Sequence, residues 1–201
     1  MVRFEEFKSQ VEGLELFSKG WRGFIFRGLW KSRKVALKVA KDKDREYAIR
    51  KECEILEFLK GVEGFPQLLL CGEDFFIYEF IEGTPVERAK LSREDRLKVY
   101  INLLDLIKKL DELGINKDEL SRLDKNTLIG EDLKVYMLDF ERGQRGAKKR
   151  HNLSQFLQLL LREGYLDLEK ARALGRVYTR GDDGVYHEVR SILEGALSAS
   201  Y

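Results

Sequence analysis

The chain has 201 residues, of which 43% are hydrophobic and 36% are charged, and its formal net charge is +2. This length and apolar content suit one compact unit or two small lobes around a cleft. A net charge so close to zero excludes a protein that coats nucleic acid with a uniformly basic surface. No apolar run approaches membrane-spanning length and the first ten residues do not resemble a signal peptide, so we expect a cytoplasmic protein without a membrane partner.

The first eighty residues alternate short β-rich runs with turns. These runs predict strands at Leu14–Phe17, Phe24–Trp30, Val35–Ala40, Gln67–Cys71 and Phe75–Phe80. Apolar residues with helical spacing predict one helix over about Asp44–Leu59. We therefore expect an antiparallel sheet with one helix over residues 1–83, and we interpret Glu82–Pro85 as a linker.

Two features of this half are suited to binding phosphate. Gly20 and Gly23 lie in a turn between two predicted strands, where missing side chains allow backbone N–H groups to approach a phosphate. Lys38 lies in an apolar strand, and a lysine in such surroundings needs a counter-charge. Glu52, on the following helix, is the expected partner, with Glu46 and Glu54 as alternatives.

The two cysteines lie apart. Cys53 and Cys71 belong to no C-x-x-C motif and have no pair of histidines nearby, so the sequence predicts two buried thiols without a zinc site or a disulfide. Charged residues are abundant while Asn, Gln, Met and Cys are scarce, a balance that indicates a thermophilic source.

Residues 84–201 read mainly as helices. Ser92 and Asp95 resemble a capping box, and the helical spacing after them predicts a long core helix that ends by Gly114. Further helices are predicted at about Asn152–Arg162, Leu168–Tyr178 and Val185–Ser198, and a short hairpin joins Thr127–Ile129 to Val135–Leu138.

This hairpin indicates a metal site. Asp139 stands where an apolar strand ends, and Asn126 precedes it by thirteen residues, an interval that the hairpin spans. An amide and a carboxylate at one end of a hairpin can share a magnesium ion, because Mg²⁺ takes oxygen ligands from a rigid support. We therefore predict that Asn126 and Asp139 bind Mg²⁺.

From Leu14 to Gly143 the order of these residues resembles the protein-kinase superfamily. The turn from Ser18 to Ile25 is similar to the glycine-rich loop, Val35–Lys38 to the lysine motif, and Asp139-Phe140-Glu141 stands where the family has Asp-Phe-Gly. The resemblance implies a minimal bilobal α+β fold, with lobes at 1–83 and 84–201, and an ATP-dependent phosphotransferase. It further implies an ATP site formed by Gly20, Gly23, Ile25, Ala36, Lys38, the gatekeeper Tyr78, and the hinge residues Glu79 and Ile81.

The catalytic loop departs most from the family pattern. Two alignments compete: Asp118 matches the His-Arg-Asp triplet counted from Gly114, whereas Glu119-Leu120-Ser121 resembles the Asp-Leu-Ser of RIO-type kinases with Glu for Asp. We favour Asp118. Either carboxylate would orient the acceptor hydroxyl and take its proton.

A basic segment replaces the long activation segment of protein kinases. The acid-free stretch from residue 142 to residue 150 contains Arg142, Arg145, Lys148, Lys149 and Arg150. Next to a catalytic centre these charges predict a polyanionic acceptor such as RNA. Arg172, Arg176 and Arg180 could extend the surface, although a solvated helix face is the preferred interpretation.

The short architecture, with Glu119–Arg122 and Asp139–Arg142, resembles a family of small archaeal kinase-like proteins. One member of that family phosphorylates a ribose 2′-hydroxyl of tRNA. The resemblance implies the same acceptor here and no DNA partner. A serine/threonine protein kinase, an autophosphorylating kinase or ATPase, and a non-catalytic nucleotide-binding protein are the alternatives.

Overall fold

The computed structural model describes residues 1–21, 23–123 and 126–199, and contains ten strands and six α-helices among them. The strands are β1 (Glu12–Lys19), β2 (Gly23–Trp30), β3 (Arg33–Ala40), β4 (Leu68–Cys71), β5 (Phe75–Glu79), β6 (Thr84–Pro85), β7 (Ile115–Asn116), β8 (Thr127–Ile129), β9 (Val135–Met137) and β10 (Gln144–Arg145). The helices are α1 (Phe4–Phe7), α2 (Glu46–Phe58), α3 (Arg93–Glu112), α4 (Asn152–Arg162), α5 (Leu168–Thr179) and α6 (Gly184–Ser198). The expected α+β class is confirmed.

The chain divides into two compact units. The first contains residues 1–82 together with 139–141, and the second contains residues 83–138 and 142–199. No helix in the described part of the chain is long and apolar enough to cross a lipid bilayer.

The first unit is built on an antiparallel sheet with the strand order β1-β2-β3-β5-β4. Its central strand β3 is buried over five consecutive residues, because it has a neighbour on each side and is covered on both faces. Helix α2 packs on this sheet through buried apolar residues such as Ile49 and Leu56. The sheet and this helix were predicted.

Two features of the first unit correct the sequence analysis. The unit contains a second, short helix, α1, whose Phe4 and Phe7 join the core formed with Phe75. In addition, Cys53 and Cys71 form a disulfide between α2 and β4, so the prediction of two separate thiols is wrong. The bond joins residues 18 apart on a helix and a strand, a pairing that only the packing of those elements reveals.

The second unit is mainly helical. Helix α3 packs against α4 and α6, and α5 packs against α4 and α6. The predicted helix start is confirmed, since the Ser92 hydroxyl accepts a hydrogen bond from the backbone N–H of Asp95 at 3.0 Å. The segment interpreted as a linker contains β6, which pairs with β8 in a small sheet of order β6-β8-β9.

Candidate functional site

Lys38 is the centre of a group of charges in the first unit. Its side chain leaves β3, and its Nζ atom lies 2.7 Å from a Glu52 carboxylate oxygen, 2.7 Å from one of Glu141 and 3.6 Å from one of Asp139. Only 7% of Lys38 and 2% of Glu52 are exposed. We call these four residues the lysine cluster.

Glu52 connects three parts of the first unit. One oxygen of its carboxylate accepts the hydrogen bond from Lys38, and the other accepts one from the backbone N–H of Phe140 at 3.0 Å. Phe140 is fully buried and its ring contacts that of Phe65. Helix α2 thereby fixes both the lysine on β3 and the segment that carries Asp139.

The two alternative partners for Lys38 lie elsewhere. Glu46 is paired with Arg3 at 2.5 Å, and Glu54 points from the exposed side of α2. The pairing of Lys38 with Glu52, inferred from one lysine in an apolar strand, is therefore present. Glu141 was missed as a partner, because the resembled motif has glycine at that position.

The charged groups of the lysine cluster shift one another's pKa values. Burial by itself would lower the pKa of the Lys38 amine, but attraction to Glu52, Asp139 and Glu141 outweighs it, and the pKa is raised above its ordinary value. Lys38 is therefore fully protonated at neutral pH and faces three carboxylates. Burial raises the pKa of Glu52, while attraction to Lys38 acts in the opposite direction.

The same carboxylates have the chemistry of a magnesium site. One oxygen each from Glu52, Asp139 and Glu141 lie within 4.8 Å of one another. Carboxylate oxygens are the ligands that Mg²⁺ prefers in proteins. Asp139 also has a left-handed backbone, with φ of 66°, a conformation that side-chain-bearing residues adopt mostly where surrounding contacts enforce it.

The glycine turn is closed by a hydrogen bond from Gly20 N–H to the Gly23 carbonyl at 2.8 Å. Gly23 has a packing reason to lack a side chain, because a Cβ atom there would lie 2.6 Å from the Val39 carbonyl oxygen. Arg22, between the two glycines, lies outside the described residues.

The residues predicted to hold adenine lie on neighbouring strands of the same sheet. Ile25 lies opposite Lys38 across β2 and β3, and Ala36 lies opposite Tyr78 across β3 and β5. Burial raises the pKa of the Tyr78 phenol, so the side chain is neutral. The hinge residues Glu79 and Ile81 are at the end of β5 and just beyond it.

In the second unit, the other candidate residues lie in a loop at 115–120, which follows α3. Asp118 and Glu119 both have left-handed backbones, with φ of 69° and 61°. One Asp118 oxygen accepts hydrogen bonds from the Gln155 amide at 2.7 Å and from the Glu119 N–H at 3.0 Å. Glu119 is ion-paired with Arg142 at 3.2 Å.

The electrostatics of Asp118 favour its ionised form. Partial burial raises its pKa, but the hydrogen bonds from Gln155 and Glu119 N–H, and the neighbouring His151 and Arg142, outweigh burial and lower it overall. A carboxylate that is ionised at neutral pH can accept a proton, as a catalytic base must.

Asn126, the second predicted metal ligand, lies at the start of the β8–β9 hairpin. Its carbonyl accepts a hydrogen bond at 2.7 Å from the N–H of Leu138, the residue before Asp139 in the chain. The predicted hairpin is present as the antiparallel pair β8 and β9, whereas the joint binding of magnesium by Asn126 and Asp139 stays a prediction.

The basic segment, residues 142–150, is bonded to the start of the 115–120 loop. Strand β10 pairs with β7, with Gln144 opposite Asn116. The buried side chain of Asn116 donates to the Lys149 carbonyl at 2.9 Å and accepts from His151 N–H at 3.1 Å. Two-residue strands carry no periodic signal, so this pairing could not be predicted from the sequence.

The five basic residues differ in their surroundings. Arg142, Arg145, Lys148 and Lys149 are exposed, whereas Arg150 lies 4.3 Å from the centre of the Tyr178 ring. Arg150 also donates to the Tyr178 carbonyl at 3.0 Å and is paired with Asp183 at 2.9 Å. Arg150 thus fastens the segment to α5, while the two lysines carry charge at the surface.

No protein-family model matches this chain. Over 81 residues the chain is 35% identical to a Bacillus subtilis protein named "Putative serine/threonine-protein kinase YrzF". The aligned region spans 40% of this chain and 37% of that protein. This partial likeness suggests a kinase-like phosphotransferase.

Proposed function

We propose that this chain is an ATP- and Mg²⁺-dependent kinase with a minimal protein-kinase-like fold, and that its acceptor is a ribose 2′-hydroxyl of tRNA. The lysine cluster is the observation that carries the kinase proposal. Phosphoryl transfer requires a cation beside the phosphates and oxygen ligands for magnesium. Lys38 supplies the first and Asp139 the second. Glu52 is bonded to Lys38 and to the backbone N–H of Phe140, the residue after Asp139, and the partial likeness to a kinase agrees with this assignment.

In this proposal the first unit binds the nucleotide. Lys38 binds phosphate oxygens of ATP, and the turn at Gly20 and Gly23 offers backbone N–H groups to them. Asp139 is the main ligand for magnesium, with Asn126 as its predicted partner. Bound Mg²⁺ would neutralise phosphate charge and orient the γ-phosphate. The roles of Tyr78, Glu79 and Ile81 in holding adenine remain predictions from the resemblance.

The second unit supplies the acceptor side of the reaction. A carboxylate of the 115–120 loop, Asp118 or Glu119, orients the hydroxyl. A bond forms between the hydroxyl oxygen and the γ-phosphorus, while the bond from that phosphorus to the bridging oxygen breaks and ADP leaves. The hydroxyl proton passes late to the carboxylate, because the transition state is loose.

The basic segment supports a polyanionic acceptor. Lys148 and Lys149 are exposed, and the backbone around them is hydrogen-bonded to β7, two residues before Asp118. Positive charge in this position neutralises phosphates of an RNA chain whose ribose is being modified.

A transfer assay tests the proposal directly. The protein is incubated with γ-labelled ATP and either tRNA or a protein extract, with Lys38→Met as the inactive control. We expect label in tRNA, on a ribose 2′-oxygen after digestion to nucleotides. Label in protein alone would reject the RNA acceptor, and equal label with wild type and Lys38→Met would reject the lysine cluster as the catalytic centre.

A salt titration tests the basic segment. The double variant Lys148→Glu/Lys149→Glu should bind tRNA more weakly and lower the slope of log K against log salt by about 1.4–1.8, the value for two lost phosphate contacts. ATP affinity should not change. The matched control is Lys108→Glu/Lys109→Glu, two adjacent exposed lysines on α3. An equal loss in both variants would contradict a specific role for the basic segment.

A serine/threonine protein kinase, including one that phosphorylates itself, is the second candidate. The printed name of the Bacillus subtilis relative favours it. It uses the same nucleotide-binding residues and differs only in the acceptor, so the transfer assay with tRNA and protein extract separates the two.

A further inference from the structure

Gln155 contacts the 115–120 loop with both ends of its side-chain amide. Its Nε2 donates to the Asp118 carboxylate at 2.7 Å, and its Oε1 accepts from the backbone N–H of Leu120 at 3.0 Å. The two contacts lie on either side of Glu119. One half-buried residue in the first turns of α4 therefore bridges the part of the loop that holds both candidate carboxylates.

Asn152, one turn earlier on α4, holds the preceding part of the loop. Its Oδ1 accepts from the Lys117 N–H at 2.9 Å, and its Nδ2 donates to the Ile115 carbonyl at 2.7 Å and to Asp111 at 2.9 Å. Residues three apart lie on the same side of a helix. Asn152 and Gln155 together give α4 one face that binds the loop from residue 115 to residue 120.

The backbone of the loop needs such support. Asp118 and Glu119 are consecutive residues in the left-handed region. Side-chain-bearing residues adopt this conformation mainly where surrounding contacts enforce it. The bonds of Gln155 fall on the first of these residues and on the residue that follows the second.

We propose that Gln155 is a positioning residue that presents Asp118, and not Glu119, to the acceptor hydroxyl. This inference rests on the proposed kinase function. Gln155 and the Glu119 N–H both bind Oδ1 of Asp118. In this proposal Oδ2 is the oxygen that takes the acceptor proton. Glu119 has a different role, since its carboxylate is paired with Arg142 of the basic segment.

The charged groups around Asp118 stay the same when Gln155 is replaced, so a change in the pKa of Asp118 would report the lost hydrogen bond. Lys117 and Glu119 flank it in the loop, His151 precedes α4, and Arg142 belongs to the basic segment. None of these changes when Gln155 is replaced. Loss of the donated hydrogen bond should therefore raise the pKa of Asp118, because a hydrogen bond to a carboxylate stabilises its ionised form.

The experiment compares wild type with Gln155→Ala and Gln155→Glu in steady-state transfer from pH 3 to pH 9, because the pKa of Asp118 in the wild type is lowered. For Gln155→Ala we expect kcat to fall about 10- to 100-fold, the range for a misplaced catalytic group, with KM for ATP unchanged. The acid limb of the kcat profile should move to higher pH. Gln155→Glu should move it further, because it replaces a donor to Asp118 with a second negative charge.

A carboxyl ¹³C NMR titration measures the effect of the Gln155–Asp118 hydrogen bond on the pKa of Asp118 and does not depend on enzymatic activity. The Asp118 signal, assigned with Asp118→Asn, should titrate at higher pH in Gln155→Ala than in wild type. The matched control is Gln158→Ala on the exposed side of α4, which should change neither kcat nor the titration. Melting temperatures identify any variant that fails to fold.

Three outcomes overturn the inference: an unchanged Asp118 titration in Gln155→Ala, an unchanged acid limb despite lower kcat, or an equal further loss when Gln155→Ala is added to Asp118→Ala. The last would mean that Gln155 does not act through Asp118. Absence of transfer by wild type rejects the proposed function instead, and the NMR titration still decides whether Gln155 holds the carboxylate.

Discussion

The lysine cluster of the first unit and the 115–120 loop of the second hold their carboxylates in different ways. In the cluster, Glu52 is buried and forms an ion pair with Lys38. In the loop, Asp118 is partly exposed and is held by neutral amides from Gln155 and the backbone. Removing a partner leaves an uncompensated charge in the first case and an unmade hydrogen bond in the second. The first arrangement should therefore couple function to stability much more strongly.

The largest expected effect is that of Lys38→Met. It removes the ion-pair partner of the buried Glu52 carboxylate, and should lower the free energy of unfolding by about 3–5 kcal/mol at pH 7. The buried Glu52 carboxylate then takes up a proton more readily in the folded state, so the deficit should shrink as the pH falls. Urea unfolding followed by circular dichroism at pH 7 and pH 5 measures both effects.

Lys19→Met, at an exposed lysine of β1, is the matched control and should stay close to wild type. A loss below about 1 kcal/mol for Lys38→Met would mean that the cluster behaves like an exposed ion pair. The contrast between the two regions would then fail.

The disulfide gives the next largest effect. Cys53 follows Glu52 on α2, so its bond to Cys71 fastens the helix that supports the cluster to β4. Loop closure over 18 residues is worth about 3 kcal/mol in the chain-entropy account. We expect Cys53→Ser/Cys71→Ser to melt at a lower temperature than the oxidised wild type. Reductant should lower the wild-type melting temperature and leave that of the variant unchanged; sensitivity of both would contradict the assignment.

Asn152→Ala tests the amide-held region and should have the smallest effect on stability. It leaves the Lys117 N–H and the Ile115 carbonyl without their partner, at a cost of about 2 kcal/mol. The value of kcat should also fall, and by more than the stability loss alone would cause, because the 115–120 loop no longer holds Asp118 in its position. Urea unfolding and kcat measured on the same sample give both values. A stability loss equal to that of Lys38→Met would remove the distinction between the two regions.

The sequence was informative where a residue contradicted its local pattern or followed a strong periodic rule. Ser92 marked the start of α3 because a side-chain cap is a local signal, and Lys38 indicated its buried pairing because lysine is unusual in an apolar strand. Those signals gave the mixed fold and one ion pair. The roles of these residues in catalysis stay predictions.

Other contacts depend on packing that no short pattern encodes. Gln155 occupies a polar position of an amphipathic helix, where a solvated side chain is the ordinary expectation, and Cys53 and Cys71 meet only after α2 packs on the sheet. Strands β7 and β10 have two residues each, too few for alternation to be seen. The contacts of Gln155, the disulfide and the pairing of β7 with β10 all depend on residues that are brought together only by tertiary packing.

The pairing of β7 with β10 has a consequence for how an acceptor would be chosen. Gln144 is opposite Asn116, and the Asn116 side chain donates to the Lys149 carbonyl, so the backbone of the basic segment is hydrogen-bonded to the strand that precedes Asp118. A polyanion that binds the lysines of that segment through its phosphates would place a hydroxyl next to Asp118 at a fixed distance along its own chain. Under the proposed function, the enzyme would select a ribose by its distance from the bound phosphates and not by the identity of its base.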